Sequence, residues 1–448
     1  MKQTWELYIE DFAKIKKATI KISPLIVFVG ENNSGKSYIM NLLWGILAIG
    51  RMLFSKSIPK NNEYKVCEEF IDEIISKDSY ELQKKDFDIF IDFFNIVLKD
   101  KKNYLLKQVF SINTLNIKEL QIKNYTRKSG LKIVFANLES EKQRFSSGKD
   151  YIKFPINKNS VTKQLKYKMI QYITWKLLME DITTPLYPYF DAQKSSGEPL
   201  FLPASRTGFI LTYKSLASDI MNAWGWNEEI NSKFTLPIIK FLQNLIQQTR
   251  VNNPKYKEAI ELLQKDIIDG RIITYNETVN EYKYKQNNLK KELPMYVTSS
   301  LVSELSPLLI FLSSNLKYKS LFIEEIEAHL HPKVQRLITQ VIIRLVNSGL
   351  PVIITTHSDV VLQQLNNMIK LYNSNKKQKE ELLDKFNYTK KDILNPNDII
   401  AYQFISKDNK TMIEPLKLTK SGLETPQFNK ALIDLASETI ELEESIDE

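Results

Sequence analysis

The chain has 448 residues, 43% of them apolar and 26% charged, with a single cysteine and a formal charge of +9. This is the composition of a soluble globular protein, long enough for two or three domains. Cys67 stands alone, so an internal disulfide and a cysteine-based metal site are both excluded, as suits a reducing cytosol.

The positive charge invites a nucleic-acid partner, DNA or RNA. It is carried by 54 lysines and only 8 arginines, however, and arginine is the usual forked reader of phosphate. The charge is therefore weak support. Residues 1–6 lack the apolar core of a signal peptide. The densest apolar stretch, residues 42–54, is interrupted by Arg51 and is too short to span a bilayer. A cytoplasmic protein with no membrane partner is expected.

In chain order, residues 5–29 read as strands. Leu7 and Ile9, then Ala18, Ile20 and Ile22, alternate with polar neighbours before the buried run Leu25-Ile26-Val27-Phe28-Val29. Gly30-Glu31-Asn32-Asn33-Ser34-Gly35-Lys36-Ser37 then fits the phosphate-binding loop G-x-x-x-x-G-K-[ST] at every fixed position. Residues 38–49, apolar nearly all round, predict a buried helix. Strand, loop and helix together aim backbone N–H groups at phosphate oxygens. Lys36 is expected to reach the β- and γ-phosphates, and the Ser37 hydroxyl to ligate Mg²⁺. Gly30, Asn32, Asn33, Ser34, Gly35 and Tyr38 complete the expected cradle for ATP.

Residues 63–111 contain no Pro or Gly and predict two inserted helices. Residues 115–136 predict an antiparallel section turning at Ser129-Gly130, and residues 163–180 a helix. A short strand over 199–203 runs into Ala204-Ser205-Arg206. Residues 215–268 read as helices broken at Pro237 and Pro254, followed by a hairpin over 271–284.

Leu321-Phe322-Ile323 predicts a buried strand leading into Glu324-Glu325. Pro332 marks the first turn of a helix that Gly349 ends. Residues 351–355 give the next buried strand, ending at Thr356-His357-Ser358, with Ser358 a suitable N-cap. Strand–helix alternation with buried strands means parallel α/β. Residues 374–395 read as a solvated helical stretch and residues 399–418 as a hairpin. The acidic residues from Glu438 onward read as a disordered tail.

Two acids at a strand's C-terminal end stand where ligands bind in open α/β sheets. One carboxylate, Glu324, suits Mg²⁺; the other, Glu325, suits the general base that orients and deprotonates water. His357, also at a strand end, can sense a γ-phosphate by hydrogen bonding. The other two histidines, His329 and His331, fall in the same region and serve equally well as packing or capping residues.

These features resemble an ABC-type, AAA-family ATPase head of the SMC-like group, which includes the OLD-family nucleases and ATPase subunits of bacterial anti-phage systems. Residues 30–37 match Walker A, 321–325 resemble Walker B, 327–332 the D-loop, and 355–358 the switch-histidine loop. Residues 298–305 sit where the signature motif falls, and 202–206 resemble a strand-end element of the defence ATPases. Walker B has Glu324 where Asp is usual, and Leu301 and Val302 replace the signature glycines. No Q-loop glutamine stands near Arg206. Residues 374–448 are too few for a TOPRIM nuclease domain and carry no D-x-D pair.

The resemblance implies an α/β fold: a two-lobed ABC-type P-loop ATPase head with an antiparallel β lobe and helical insertions. Its expected parts are residues 1–54 (strands and Walker A), 55–198 (inserted section), 199–208 (core strand), 209–298 (helical lobe), 299–373 (signature to switch histidine) and 374–448 (extension). It further implies ATP and Mg²⁺ as ligands, and hydrolysis to ADP and phosphate. Two copies are expected to dimerise head to tail, with Ser299 and Ser300 serving the partner's nucleotide. A sensor or regulator of an anti-phage complex with a separate effector protein is the expected role. A nucleotide-gated scaffold, a transporter ATPase and a chromosome or repair factor stand as rivals.

Overall fold

The computed structural model describes residues 3–137, 145–179, 181–186, 197–217, 234–247, 254–314, 318–424 and 426–445. The first strands are β1 (Gln3–Phe12), β2 (Ile15–Lys21) and β3 (Leu25–Gly30), followed by helix α1 (Lys36–Ile49). The insertion contains α2 (Asn62–Ile74), β4 (Ser79–Leu82), α3 (Lys84–Phe110), β5 (Ile117–Arg127), β6 (Leu131–Asn137), β7 (Ser146–Ser147), β8 (Tyr151–Ile156) and α4 (Lys163–Leu178). Next come β9 (Pro199–Leu202), α5 (Arg206–Thr212), α6 (Leu236–Gln247), α7 (Lys257–Leu262), β10 (Gly270–Tyr275), β11 (Glu281–Gln286) and β12 (Leu293–Pro294). The remaining elements are α8 (Ser300–Leu312), β13 (Ser320–Ile323), α9 (Pro332–Asn347), β14 (Val352–Thr356), α10 (Asp359–Asn373) and α11 (Lys376–Phe386). After these follow β15 (Ile399–Lys407), β16 (Lys410–Pro415), β17 (Leu418–Thr419), β18 (Gly422–Leu423) and α12 (Pro426–Glu444).

Among the described residues a nine-stranded sheet runs in the order β5-β1-β2-β16-β15-β3-β14-β13-β9. Its β15-β3-β14-β13-β9 half is parallel. In the other half, β5, β1 and β2 pair antiparallel, as do β15 and β16, with one parallel join between β16 and β2. The fold is α/β, with an antiparallel β section and helical insertions. β3 is buried throughout because both its faces are covered. Ile26 and Phe28 enter one apolar core with α1 to α4, and Leu25, Val27 and Val29 enter a second with α6 and α8 to α10. β1, covered on one face only, keeps alternation: Trp5, Leu7 and Ile9 are buried while Glu6, Tyr8 and Glu10 are partly exposed.

Several local expectations need correction. β5 and β6 do not form one hairpin: β5 pairs with β1, whereas β6 joins a separate sheet with β4 and β8. A short strand, β4, stands between the two inserted helices. Pro237 does not break a helix; it is the second residue of α6, where a missing N–H costs nothing. Parts of 215–268 lie outside the described residues. Residues 438–444 form the end of helix α12, whose Ala, Leu and Glu content, with no Pro or Gly after its first residue, favours helix. The hairpin β15–β16 belongs to the main sheet, and β15 lies directly against β3.

Candidate nucleotide site

The site begins where β3 ends. Gly30 adopts φ +149°, and a Cβ there would come within 2.7 Å of the Phe404 carbonyl oxygen on β15. The close crossing of β15 therefore requires glycine. Asn33 (φ 60°) and Gly35 (φ 97°) are left-handed, and they curl the loop onto the start of α1. Asn32 and Asn33 are exposed. Ser34 is internal to the loop, its hydroxyl donating to the Glu31 carbonyl at 2.7 Å.

Lys36 is 5% exposed. Its ammonium donates to the carbonyls of Gly30 (2.9 Å) and Glu31 (2.7 Å) and to Ser34 Oγ (3.3 Å). Burial lowers its pKa to about 8, against the opposing pull of the Glu325, Glu327 and Glu31 carboxylates. The Tyr38 ring packs into the core against Phe12 and Phe110, with both pairs of centroids 5.8 Å apart. What Tyr38 offers a phosphate is therefore its backbone N–H.

β13 carries Glu324 and Glu325 to the same end of the sheet. The Glu324 N–H donates to the Leu202 carbonyl at 2.9 Å, extending the pairing with β9 by one residue. The Glu324 carboxyl is buried; Oε2 accepts from the Ala204 N–H at 3.3 Å, and Oε1 has no hydrogen-bond partner. Burial raises its pKa, while the neighbouring Ser37 hydroxyl and the Ala204 N–H oppose the rise. An orphaned carboxylate oxygen in a group that also meets the Ser37 hydroxyl fits a cation held by Ser37, Glu324 and substrate phosphates, as is usual for Mg²⁺. Glu325 is half-buried in a left-handed backbone, φ 45°. That conformation is uncommon outside Gly, Asn and Asp. It is held by the Thr355 hydroxyl, which accepts the Glu325 N–H at 2.8 Å.

β14 delivers His357. Its imidazole lies beside the Gly30 carbonyl, and its pKa is lowered by burial and then by Lys36. At neutral pH it is thus an uncharged ring against the phosphate loop. Its backbone N–H donates to Glu327 Oε1, and Glu327 Oε2 is buried without a partner. Glu327 is a site residue that composition alone did not single out; its position two residues past the acid pair was the available signal. His329 is exposed, and His331 is the N-cap of α9, accepting the Lys333 N–H at 3.3 Å.

Phosphate loop, acid pair and switch histidine thus meet at one end of the parallel strands. The signature candidates make their contacts elsewhere. Ser299 is the N-cap of α8, accepting the Val302 N–H at 3.4 Å, and Ser300 is the exposed first residue of that helix. Further along α8, Glu304 is fully buried. It accepts both the N–H (3.1 Å) and the hydroxyl (2.8 Å) of Thr207 at the base of α5.

A P-loop nucleotide-binding α/β protein is the class these elements define. The chain belongs to the AAA ATPase domain family AAA_15, whose family model matches residues 5–362. It is an ATP-binding ATPase by family. No curated protein matches it. Among solved structures, an SMC head bound to the C-winged helix domain of ScpA is 13% identical, with 92% of this chain and 98% of that chain covered and a TM-score of 0.36. A Pyrococcus furiosus Smc head with an extended coiled coil, bound to the C-terminal domain of ScpA, is 12% identical (97% and 100% covered, TM-score 0.35). The SMC head domain from Thermotoga maritima is 11% identical (93% and 100% covered, TM-score 0.33). These superpositions are weak, and the family assignment rests on the family model. Among the described residues no helix is long and apolar enough to cross a membrane.

Proposed function

We propose that this chain binds MgATP and hydrolyses it to ADP and phosphate, and that two copies close head to tail around the nucleotides. Lys36 neutralises charge on the β- and γ-phosphates, and the loop N–H groups cradle them. Ser37 and Glu324 would hold Mg²⁺, which when bound supplies charge stabilisation to the phosphoryl oxygens. Glu325 takes a proton from the water that attacks the γ-phosphorus, as the bond to the β-phosphate oxygen breaks. His357, neutral beside the phosphate loop, contacts the γ-phosphate. Ser300 of each copy serves the nucleotide of the other. In this reading the chain is the ATP-driven sensor or regulator of a bacterial anti-phage complex. Its effector is a separate protein, and no nuclease centre is assigned to this chain. DNA or RNA is a candidate trigger.

The observation that carries the reading is the convergence of Lys36, the Ser37–Glu324 contact, Glu325 and His357 on one sheet end. Steady-state phosphate release, measured alongside light scattering with and without ATP, tests it. ATP-dependent dimers with multiple turnovers are expected; monomers that release no phosphate would overturn it.

One observation favours a second reading, a nucleotide-gated scaffold with little turnover. Burial raises the pKa of Glu324, the longer acid in the usual Asp position, which disfavours its ionised form. Glu324→Asp decides between them. A gain in turnover of about tenfold or more would mean that the natural residue restrains hydrolysis, since metal-site adjustments act on this scale.

A further inference from the structure

Arg206 is absorbed by none of the roles above, yet it is 2% exposed and surrounded by the site. Ser205, just before it, is left-handed (φ 59°), which turns the chain sharply out of β9 and sends the Arg206 side chain inward. Its Nη1 donates to the carbonyls of Pro203 (3.1 Å) and Glu324 (2.5 Å), and Nη2 donates to the carbonyl of Glu325 (3.0 Å). Nη2 also lies 2.6 Å from Glu304 Oε1, as an ion pair without hydrogen-bond alignment. Burial lowers the arginine pKa, and Glu304 is the foremost of the carboxylates that oppose this.

Glu304 is fully buried and stands four residues after Ser300 on α8, on the same helical face. The guanidinium therefore touches, at once, the helix that begins at Ser300 and the two peptide carbonyls of the acid pair. Beyond the guanidinium, Glu325 is fastened through its N–H to the Thr355 hydroxyl, through its carbonyl, which also accepts the Ala328 N–H (2.9 Å), and through the following Ile326 N–H to the Thr355 carbonyl (3.3 Å). A left-handed, non-glycine backbone persists only where its surroundings over-determine it.

We propose that Arg206 and Glu304 form a positioning pair that couples α8 to the general base: the seating of α8 sets the backbone of Glu325, and hence the aim of its carboxylate at water. The proposal rests on the ATPase reading and deepens it. Arg206 touches no reacting atom, and arginine is required because a planar fork can serve three carbonyls and a carboxylate together, which a lysine point charge cannot. The pairing also gives nucleotide closure a route to chemistry. An event at Ser300 that moves α8 moves Glu304, and Glu304 cannot part from the buried guanidinium without leaving both charges unpaired.

The test uses Glu304→Gln in the full chain, which keeps shape and removes the charge. Expected are a kcat at least about tenfold lower, since small misplacements of catalytic groups act on this scale, with MgATP affinity within about threefold and ATP-driven dimers retained. Amide exchange over residues 324–327 without nucleotide is expected to accelerate, while that of α9 stays unchanged. Unchanged kcat in a folded variant overturns the proposal. So do kcat and affinity falling together with no local change in exchange, the mark of a merely structural pair. Should Glu304→Gln fail to fold, Thr207→Val removes one neutral donor to Glu304. A kcat about two- to fivefold lower at unchanged affinity, with faster exchange over 324–327, then supports the coupling, and wild-type values overturn it. If the wild-type chain releases no phosphate, the ATPase reading fails while exchange still decides the linkage: acceleration upholds it and its absence removes it.

Discussion

At the end of β3, one chain gathers the groups that the proposed triphosphate site uses: loop N–H groups, the Lys36 ammonium, a hydroxyl, two carboxylates and an imidazole with a lowered pKa. At the start of α8, the same chain offers one cap that is already used and one exposed hydroxyl. The Ser299 side chain is bonded to the Val302 N–H, and Ser300 faces solvent with no glycines beside it. The first surface gathers the groups of the proposed site in one chain; the second, if it meets a nucleotide at all, is suited to completing a site built elsewhere. This contrast in completeness is the physical basis for placing Ser300 against a partner's nucleotide. The tests below are ordered by how hard each presses on it.

The largest effect is expected at the complete end. Glu325→Gln keeps the size of the base but cannot take a proton, so kcat should fall about 10²–10⁴-fold with ATP binding spared. Trapped ATP-bound dimers should accumulate in size-exclusion chromatography. If Glu324→Gln abolished turnover and Glu325→Gln did not, the roles of the two acids would be exchanged.

Lys36→Ala should weaken MgATP binding at least about 30-fold, the scale for removing one partner of a buried charged contact. Calorimetry measures it. In the nucleotide-free protein the ammonium is bonded only to loop groups at the cost of burial, so melting temperature should move by less than about 3 °C. Unchanged affinity would remove the phosphate loop from the site.

A smaller effect follows from the same ammonium. Its pKa of about 8 means that the nucleotide-free protein loses the proton as pH rises from 7 to 9. Phosphates favour the protonated form, so MgATP affinity should be greatest below pH 8 and fall about tenfold by pH 9. His357, depressed below its usual 6.5, titrates outside this window. Lys36→Ala should show a flat profile between pH 7 and 9; a slope retained in that variant would assign the titration to another group.

The two ends were not equally legible in the amino-acid sequence. β3 with the loop and α1, and likewise β13, β14 and the residues that end them, are continuous segments whose apolar runs and glycines report directly on burial and turning. What was not legible is non-local. Gly30 looks like a loop glycine, but what excludes a Cβ is Phe404, from a strand far along the chain whose alternation says only hairpin. Glu304 looks like a polar residue on an apolar helix; only the fold shows that Arg206 and Thr207 meet it. Tyr38 follows the loop motif, so the sequence assigns it to the nucleotide, while its ring is drawn into the aromatic cluster with Phe12 and Phe110. The serines at 299 and 300 cannot be told apart by pattern, since either makes a good cap. The structure gives that task to Ser299.

That division of labour sharpens the last and smallest of the expected effects. Because Ser300 is the exposed first residue of α8 and not its cap, Ser300→Arg should leave melting temperature within about 2 °C of wild type. Ser299→Ala, which removes the cap, should cost about 1 kcal/mol of stability. With stability set aside, a role in trans can be read by mixing. A Ser300→Arg chain and a Lys36→Ala chain are each expected to be inactive alone, the first because arginine obstructs both composite sites, the second because neither site binds ATP. In a mixed dimer one site combines the Ser300→Arg helix start with the Lys36→Ala loop, and carries both defects. The other combines two unaltered surfaces. About half of the wild-type turnover per mixed dimer should therefore return if the sites fire independently, which is the arithmetic of a composite site and not of either chain's own pocket. If the sites must fire together, turnover stays low but the intact site still binds one MgATP per mixed dimer, which calorimetry counts. Mixed dimers that are proven to form yet neither turn over nor bind nucleotide would place Ser300 in its own chain's site and retire the role in trans. A Ser300→Arg chain that is fully active alone would make the start of α8 a helix end and nothing more.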